Sequence, residues 1–258
     1  MQTARINYMK IQSQVLPIGI LSHAGSLSNP YMILFIGRSS SYKQSTPLLN
    51  LIKELNLRKY TLVWFESTNT AINNSLDLQF NCSIGKILRL LPEPLTQLET
   101  IGRKLFKACS AIVRPTYWKY LVSYLSDPID NQSQDYKKAI TFLGSNKKID
   151  ILSHSAGGRV AVDLAKLPTI GKLICFGYPF KHPKQPAEKR RTDPLMSIEK
   201  PFLIIQGNID EYGGWEVATQ YCLSDNIELA LIKANHDYSH IENKQWVLVK
   251  ERISRFLA

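Results

Sequence analysis

The chain has 258 residues, 44% of them hydrophobic and 10% aromatic, enough for one large core, so a single α/β domain spanning 1–258 is the expectation. Its net charge of +11 would suit nucleic acid or an anionic surface, but no nucleic-acid motif accompanies it; a solvated basic surface is expected and a nucleic-acid partner is not. No apolar run approaches the roughly 20 residues of a membrane span, and residues 1–17 lack the apolar block of a secretory signal, which sets the expectation of a soluble, cytoplasmic protein.

In chain order, residues 4–22 alternate polar and apolar side chains around Pro17 and Gly19, as two antiparallel edge strands would. His23-Ala24-Gly25 is placed in the loop that follows; it resembles an oxyanion-loop signature but precedes the first strong strand, and it is set aside. Tyr31 to Gly37 is an apolar run suited to a strand buried on both faces. Thr46 and Pro47 read as the cap and first position of a helix running to about Leu57, and Lys59 to Phe65 as the next strand. Strand, helix and strand in this order imply a parallel crossover.

From Glu66 to about Gln134 that rhythm is lost. Apolar residues recur at helical spacing from Ile84 to Leu91, from Leu95 to Ile112 and from Trp118 to Leu125, with Pro92, Pro94 and Pro115 between. Residues 67–133 are therefore expected to form a helical insertion, read as a lid. Residues 81–126 carry seven Lys/Arg against two Glu, a basic amphipathic pattern that also suits peripheral contact with an anionic membrane or a partner.

The strand and helix alternation then resumes: a helix over 136–143, strands over 148–153, 172–177, 201–206 and 227–232, and helices over 157–167, 215–223 and 243–257. That predicts a mostly parallel sheet covered by helices on both faces, with ligands at the carboxyl ends of the strands. Cys82, Cys109, Cys175 and Cys222 have no metal or redox spacing and are expected to be buried thiols; neither metal nor organic cofactor is implied.

One stretch organises the rest. Lys148 to Ser153 breaks at Ser153-His154-Ser155-Ala156-Gly157-Gly158 into an Ala/Val/Leu-rich helix. A serine at the tip of such a sharp strand-to-helix turn projects its hydroxyl from the sheet edge, and small residues two positions to either side, here Ser153 and Gly157, avoid clashes. A serine nucleophile needs a histidine to take its proton and a carboxylate to orient that histidine, each just after its own strand and in the order Ser, Asp or Glu, His. Asp210 follows the 201–206 strand and His236 follows the 227–232 strand, so both satisfy position and order. Glu211 and His240 are their nearest rivals; His154 is expected to point away from Ser155 and to pack, while His182 and His23 have no partner pattern. The oxyanion would meet the backbone N–H of Ala156 and one from the loop after Gly37, at Arg38 or Ser39.

Four segments, 153–161, 175–180, 201–213 and 235–238, resemble the α/β-hydrolase superfamily, and within it a dienelactone-hydrolase-like branch of serine hydrolases. The resemblance implies an α/β-hydrolase fold with Ser155, Asp210 and His236 as a triad. Dienelactone hydrolases use cysteine as nucleophile, so their substrate does not carry over. A further departure is Phe35-Ile36-Gly37-Arg38-Ser39 where relatives hold a His-Gly-containing oxyanion loop. The expected activity is hydrolysis of small-molecule carboxylic esters, with thioesters as a second class, through an acyl-enzyme. The alternative is a hydrolase-like fold kept as a binding or scaffold protein.

Overall fold

The computed structural model describes residues 5–6, 9–37, 55, 57, 59–83, 96–124, 127–238 and 241–258. The expected helix over 46–57 and the apolar repeat over 84–91 lie outside these residues for all or most of their length. Among the described residues nine strands form one sheet: β1 (Arg5–Ile6), β2 (Met9–Leu16), β3 (Gly19–Ala24), β4 (Tyr31–Ile36), β5 (Thr61–Ser67), β6 (Lys148–His154), β7 (Ile170–Phe176), β8 (Phe202–Gly207) and β9 (Ile227–Ile232). Their spatial order is β1-β2-β3-β5-β4-β6-β7-β8-β9. The six from β5 to β9 run parallel, and β1, β2 and β3 join antiparallel along the β5 side.

Where the sheet is covered on both sides its strands are buried over nearly their whole length and mostly apolar. Every residue of β8 is buried, as are all of β4 after Tyr31 and all of β6 after Lys148. One face packs under α4 (Pro128–Leu143) and α5 (Ala156–Leu164), with Leu34, Ile151, Val160 and Tyr136 in its core. The other packs under α6 (Asn243–Leu257), through Ile174, Ile205, Val249 and Ile253.

Between β5 and α4 come α1 (Thr68–Cys82), α2 (Thr96–Ile112) and α3 (Trp118–Tyr124). Ser67 caps α1, its hydroxyl accepting from the Thr70 N–H at 3.2 Å, and α1 rests on β3 and β5. The three helices share a small core of Leu76, Ala111 and Tyr120. Among the described residues no helix is long and apolar enough to cross a membrane.

Several expectations need correction. His23 and Ala24 belong to β3, opposite Val63 and Leu62, and His23 turns its Nδ1 to the Gly25 carbonyl at 2.8 Å. β3 is not an edge strand, since β5 pairs with its far side. The helix expected over 215–223 is a single turn, Val217–Gln220, with Trp215 exposed. Only Cys175 is a buried thiol; Cys82, Cys109 and Cys222 are exposed. Two helices also exceed expectation: α1 has no marked apolar period in the sequence, and α4 starts at Pro128 because Asp127 accepts from the Ile129 N–H at 2.8 Å.

Candidate active site

The turn from β6 to α5 is built by three close approaches. Ser155 has φ 55 and ψ −126, a left-handed conformation unusual for a residue with a Cβ. It is held there because its N–H donates to the Phe176 carbonyl at 2.9 Å while its own carbonyl accepts from Gly158 at 2.8 Å. A Cβ on Gly157 would overlap the Ile36 carbonyl oxygen, so the crowding that demands glycine comes from β4, the strand beside β6. Ser153 is fully buried and donates its hydroxyl across to the Ile174 carbonyl at 2.9 Å.

Three sequence-predicted side chains converge at the carboxyl edge. The Ser155 hydroxyl lies 2.8 Å from His236 Nε2, and His236 Nδ1 lies 2.9 and 3.0 Å from the two Asp210 carboxylate oxygens. A carboxylate only accepts, so the proton sits on Nδ1 and leaves the Nε2 lone pair facing the serine. All three residues are buried. Asp210 also accepts from the Tyr212 N–H at 2.8 Å and from Gln206 Nε2 at 2.9 Å, which locks the carboxylate's orientation. Gln206 is held in turn by the Gly213 carbonyl, at 2.6 Å.

The surrounding side chains fix the imidazole. Tyr212 lies against one side of the His236 ring with centroids 4.4 Å apart. His154 stacks at 5.6 Å, and its Nε2 donates to the His236 backbone carbonyl at 3.2 Å, which agrees with its expected packing role. Tyr238, at φ 54, donates its hydroxyl to the Ile205 carbonyl at 2.6 Å and anchors the loop two residues beyond His236. Gly177, at φ +59, passes so close that a Cβ would stand 3.2 Å from His236 Nδ1 and 3.3 Å from Asp210. Sequence pattern does not mark Gln206 or Tyr212; Gly177, directly after the strand beside β6, carries the one readable signal.

The other candidates stand elsewhere. Glu211 is exposed, while the histidine's bonds go to Asp210. His182 accepts from the Lys184 N–H at 3.1 Å and meets the edge of Tyr212. Burial pushes the Cys175 thiol up to about 12, so the cysteine beside Ser153 stays protonated and inert. Ala156 is the first residue of α5, where a backbone N–H has no acceptor within its helix. Arg38, Ser39 and His240 lie outside the described residues. Among the described residues no group of three or more His, Cys, Asp or Glu is arranged to hold a metal.

A family model described as an alpha/beta hydrolase domain matches residues 124–254, half of the chain, and takes in Ser155, Asp210 and His236. The chain belongs to the alpha/beta hydrolase family. Solved structures agree on the fold across the full length. An esterase from Pyrococcus furiosus superposes with a TM-score of 0.58 at 13% identity, covering 96% of this chain and 92% of that one. A dienelactone hydrolase from Anabaena variabilis gives 0.54 at 15%, covering 96% and 97%. An alpha-beta serine hydrolase homologue from Coxiella burnetii gives 0.53 at 15%, covering all of both chains. Within this family the sheet's carboxyl edge, where Ser155, Asp210 and His236 meet, is where a ligand is expected.

Proposed function

We propose that this alpha/beta hydrolase is a serine hydrolase of carboxylic esters, thioesters included, that works through an acyl-enzyme. The observation that carries the reading is the continuous hydrogen-bonded line from the Ser155 hydroxyl through His236 to Asp210. His236 Nε2 takes the proton as Ser155 Oγ bonds to the acyl carbon, and the charge gained by the ring is stabilised by Asp210. Collapse of the tetrahedral intermediate breaks the bond to the leaving group, which takes the proton from Nε2. Water, activated by the same nitrogen, then attacks the acyl-serine and restores the hydroxyl.

The oxyanion faces the start of α5, and the Ala156 N–H is the proposed donor; such a donor is typically worth about 3 kcal/mol. A second donor from Arg38 or Ser39 remains part of the proposal. Helices α1 to α3 leave the sheet at the carboxyl end of β5, on the edge that carries Ser155. Segments at that edge select the substrate in such folds, and the lid reading of this segment belongs here.

Purified protein should react with a fluorophosphonate probe at one site, located by peptide mass spectrometry at Ser155. Ser155→Ala should abolish both labelling and hydrolysis of short-chain p-nitrophenyl esters while retaining its thermal transition. A folded protein that neither labels nor hydrolyses would overturn the reading in favour of a hydrolase-like scaffold.

A further inference from the structure

Helix α2 is amphipathic, but it turns much of its apolar side away from its own domain. Charged side chains point inward beside Phe106 and Ala111. Arg103 bonds Asp77 at 3.0 Å and Glu99 at 2.7 Å, and lies over the Phe80 ring at 4.8 Å. Lys107, itself buried, reaches Asp77 at 2.8 Å and Asn73 at 2.9 Å. The apolar stripe of the same helix points away. Ile101, Leu105 and Ile112 share one helical face, and with Val113 and Trp118 they are between 53 and 74% exposed. Trp118 is pinned beside that stripe because its indole N–H donates to the Ile112 carbonyl at 3.1 Å.

Such a stripe calls for a covering surface, since soluble proteins rarely leave contiguous apolar patches in water. Its charge border narrows the choice. Lys104, Arg114 and Lys119 are exposed beside it, and residues 100–124 contain neither Asp nor Glu. A second copy would bring these cations against their own images across a two-fold axis. Anionic headgroups would neutralise them while acyl chains take up Ile101, Leu105 and Ile112 and the interface accommodates the amphipathic indole of Trp118. We propose that the outward face of α2, with Val113 and Trp118, docks this protein peripherally on an anionic lipid surface. The proposal does not depend on the acyl-transfer reading.

The test is co-sedimentation with vesicles of phosphatidylcholine alone and of phosphatidylcholine with phosphatidylserine. Binding is expected only to the anionic vesicles, and it should weaken steeply as salt rises from about 0.1 M to about 0.5 M. Leu105→Glu and Ile112→Glu should each reduce binding at least about tenfold. Lys104→Gln and Lys119→Gln should each cost roughly fivefold. Because these side chains are exposed, the same variants should keep the wild-type thermal transition and far-UV circular dichroism, which certifies their fold. Ser155→Ala should bind vesicles normally, so a failed hydrolase reading leaves this one standing. Absence of salt-sensitive binding, or equal binding by Leu105→Glu, overturns the proposal. So does a concentration-dependent dimer that Leu105→Glu dissolves, which would assign the face to self-association.

Discussion

The sheet with its covering helices and the α1–α3 segment solve the burial problem in opposite ways. In the sheet body, apolar strands fill two cores, and the buried polar groups of the candidate site are mutually bonded: Ser155 to His236, His236 to Asp210, Asp210 to Gln206 and the Tyr212 N–H. In the helical segment an ionic network of Arg103, Lys107, Asp77, Glu99 and Asn73 lies beside a small apolar core of Leu76, Ala111 and Tyr120, with Phe80 buried against Phe106. The body holds three side chains through mutual hydrogen bonds. The segment relies more on half-buried ion pairs and leaves the stripe of Ile101, Leu105 and Ile112 exposed, a distribution suited to a surface that meets something else.

Substitutions that separate these two regimes can be ranked. The largest effect is expected at the site: His236→Ala should lower kcat/KM by about 10⁵-fold or more with little change in melting temperature. Retained activity would show that the buried hydrogen-bonded line is only structural. Next comes the core contrast. Ile204→Ala, in the fully buried β8, should cost about 2–5 kcal/mol in urea unfolding, whereas Leu105→Ala on α2 should stay within about 0.5 kcal/mol. Comparable losses at both positions would erase the distinction drawn above.

Arg103→Ala sharpens it from the other side. Losing a partly exposed ionic hub and its contact with Phe80 should destabilise α1 and α2 by about 1 kcal/mol. Faster amide exchange in those helices, with β6 and β8 unaffected, would show it.

The smallest effect belongs to Asp150, a buried carboxyl on β6, four residues before His154. Burial raises its pKa, against the opposing pull of the Lys172 N–H bond and the charges of Lys148 and Lys172. A raised carboxyl favours its neutral form in the folded state, so its contribution is fully present below the unfolded value and is lost as pH rises through the folded one. Asp150→Asn should therefore melt slightly above the wild type near neutral pH, with the gap closing as pH falls toward the ordinary carboxylate range. A gap that widens on acidification would reverse the assignment.

Most of the body was readable because its strands are short apolar runs and each chemistry-bearing residue follows its own strand. Position and chain order alone led to the three residues that the structure joins, Ser155, Asp210 and His236. What surrounds them was not readable, since Tyr212 and Gln206 reach Asp210 through loop geometry that no periodicity encodes. The helical segment shows the limit differently. The spacing of Ile101, Leu105 and Ile112 marks a helix, but spacing does not say which side faces in, and here the stripe faces out. Helix α1 escaped for a related reason. Its Asn73 and Asn74 are poor helix formers with little apolar period, yet Asn73 belongs to the inward network that holds Lys107 and Tyr120.

If Ser155 is the nucleophile proposed above, its left-handed turn sets activity against durability. A side chain held at φ 55 stores about 1–3 kcal/mol that glycine would not carry. A Ser155→Gly chain, without the proposed nucleophile, should therefore survive heating longer than the native one. The proposed nucleophile sits on a strained turn that the surrounding sheet must hold in place.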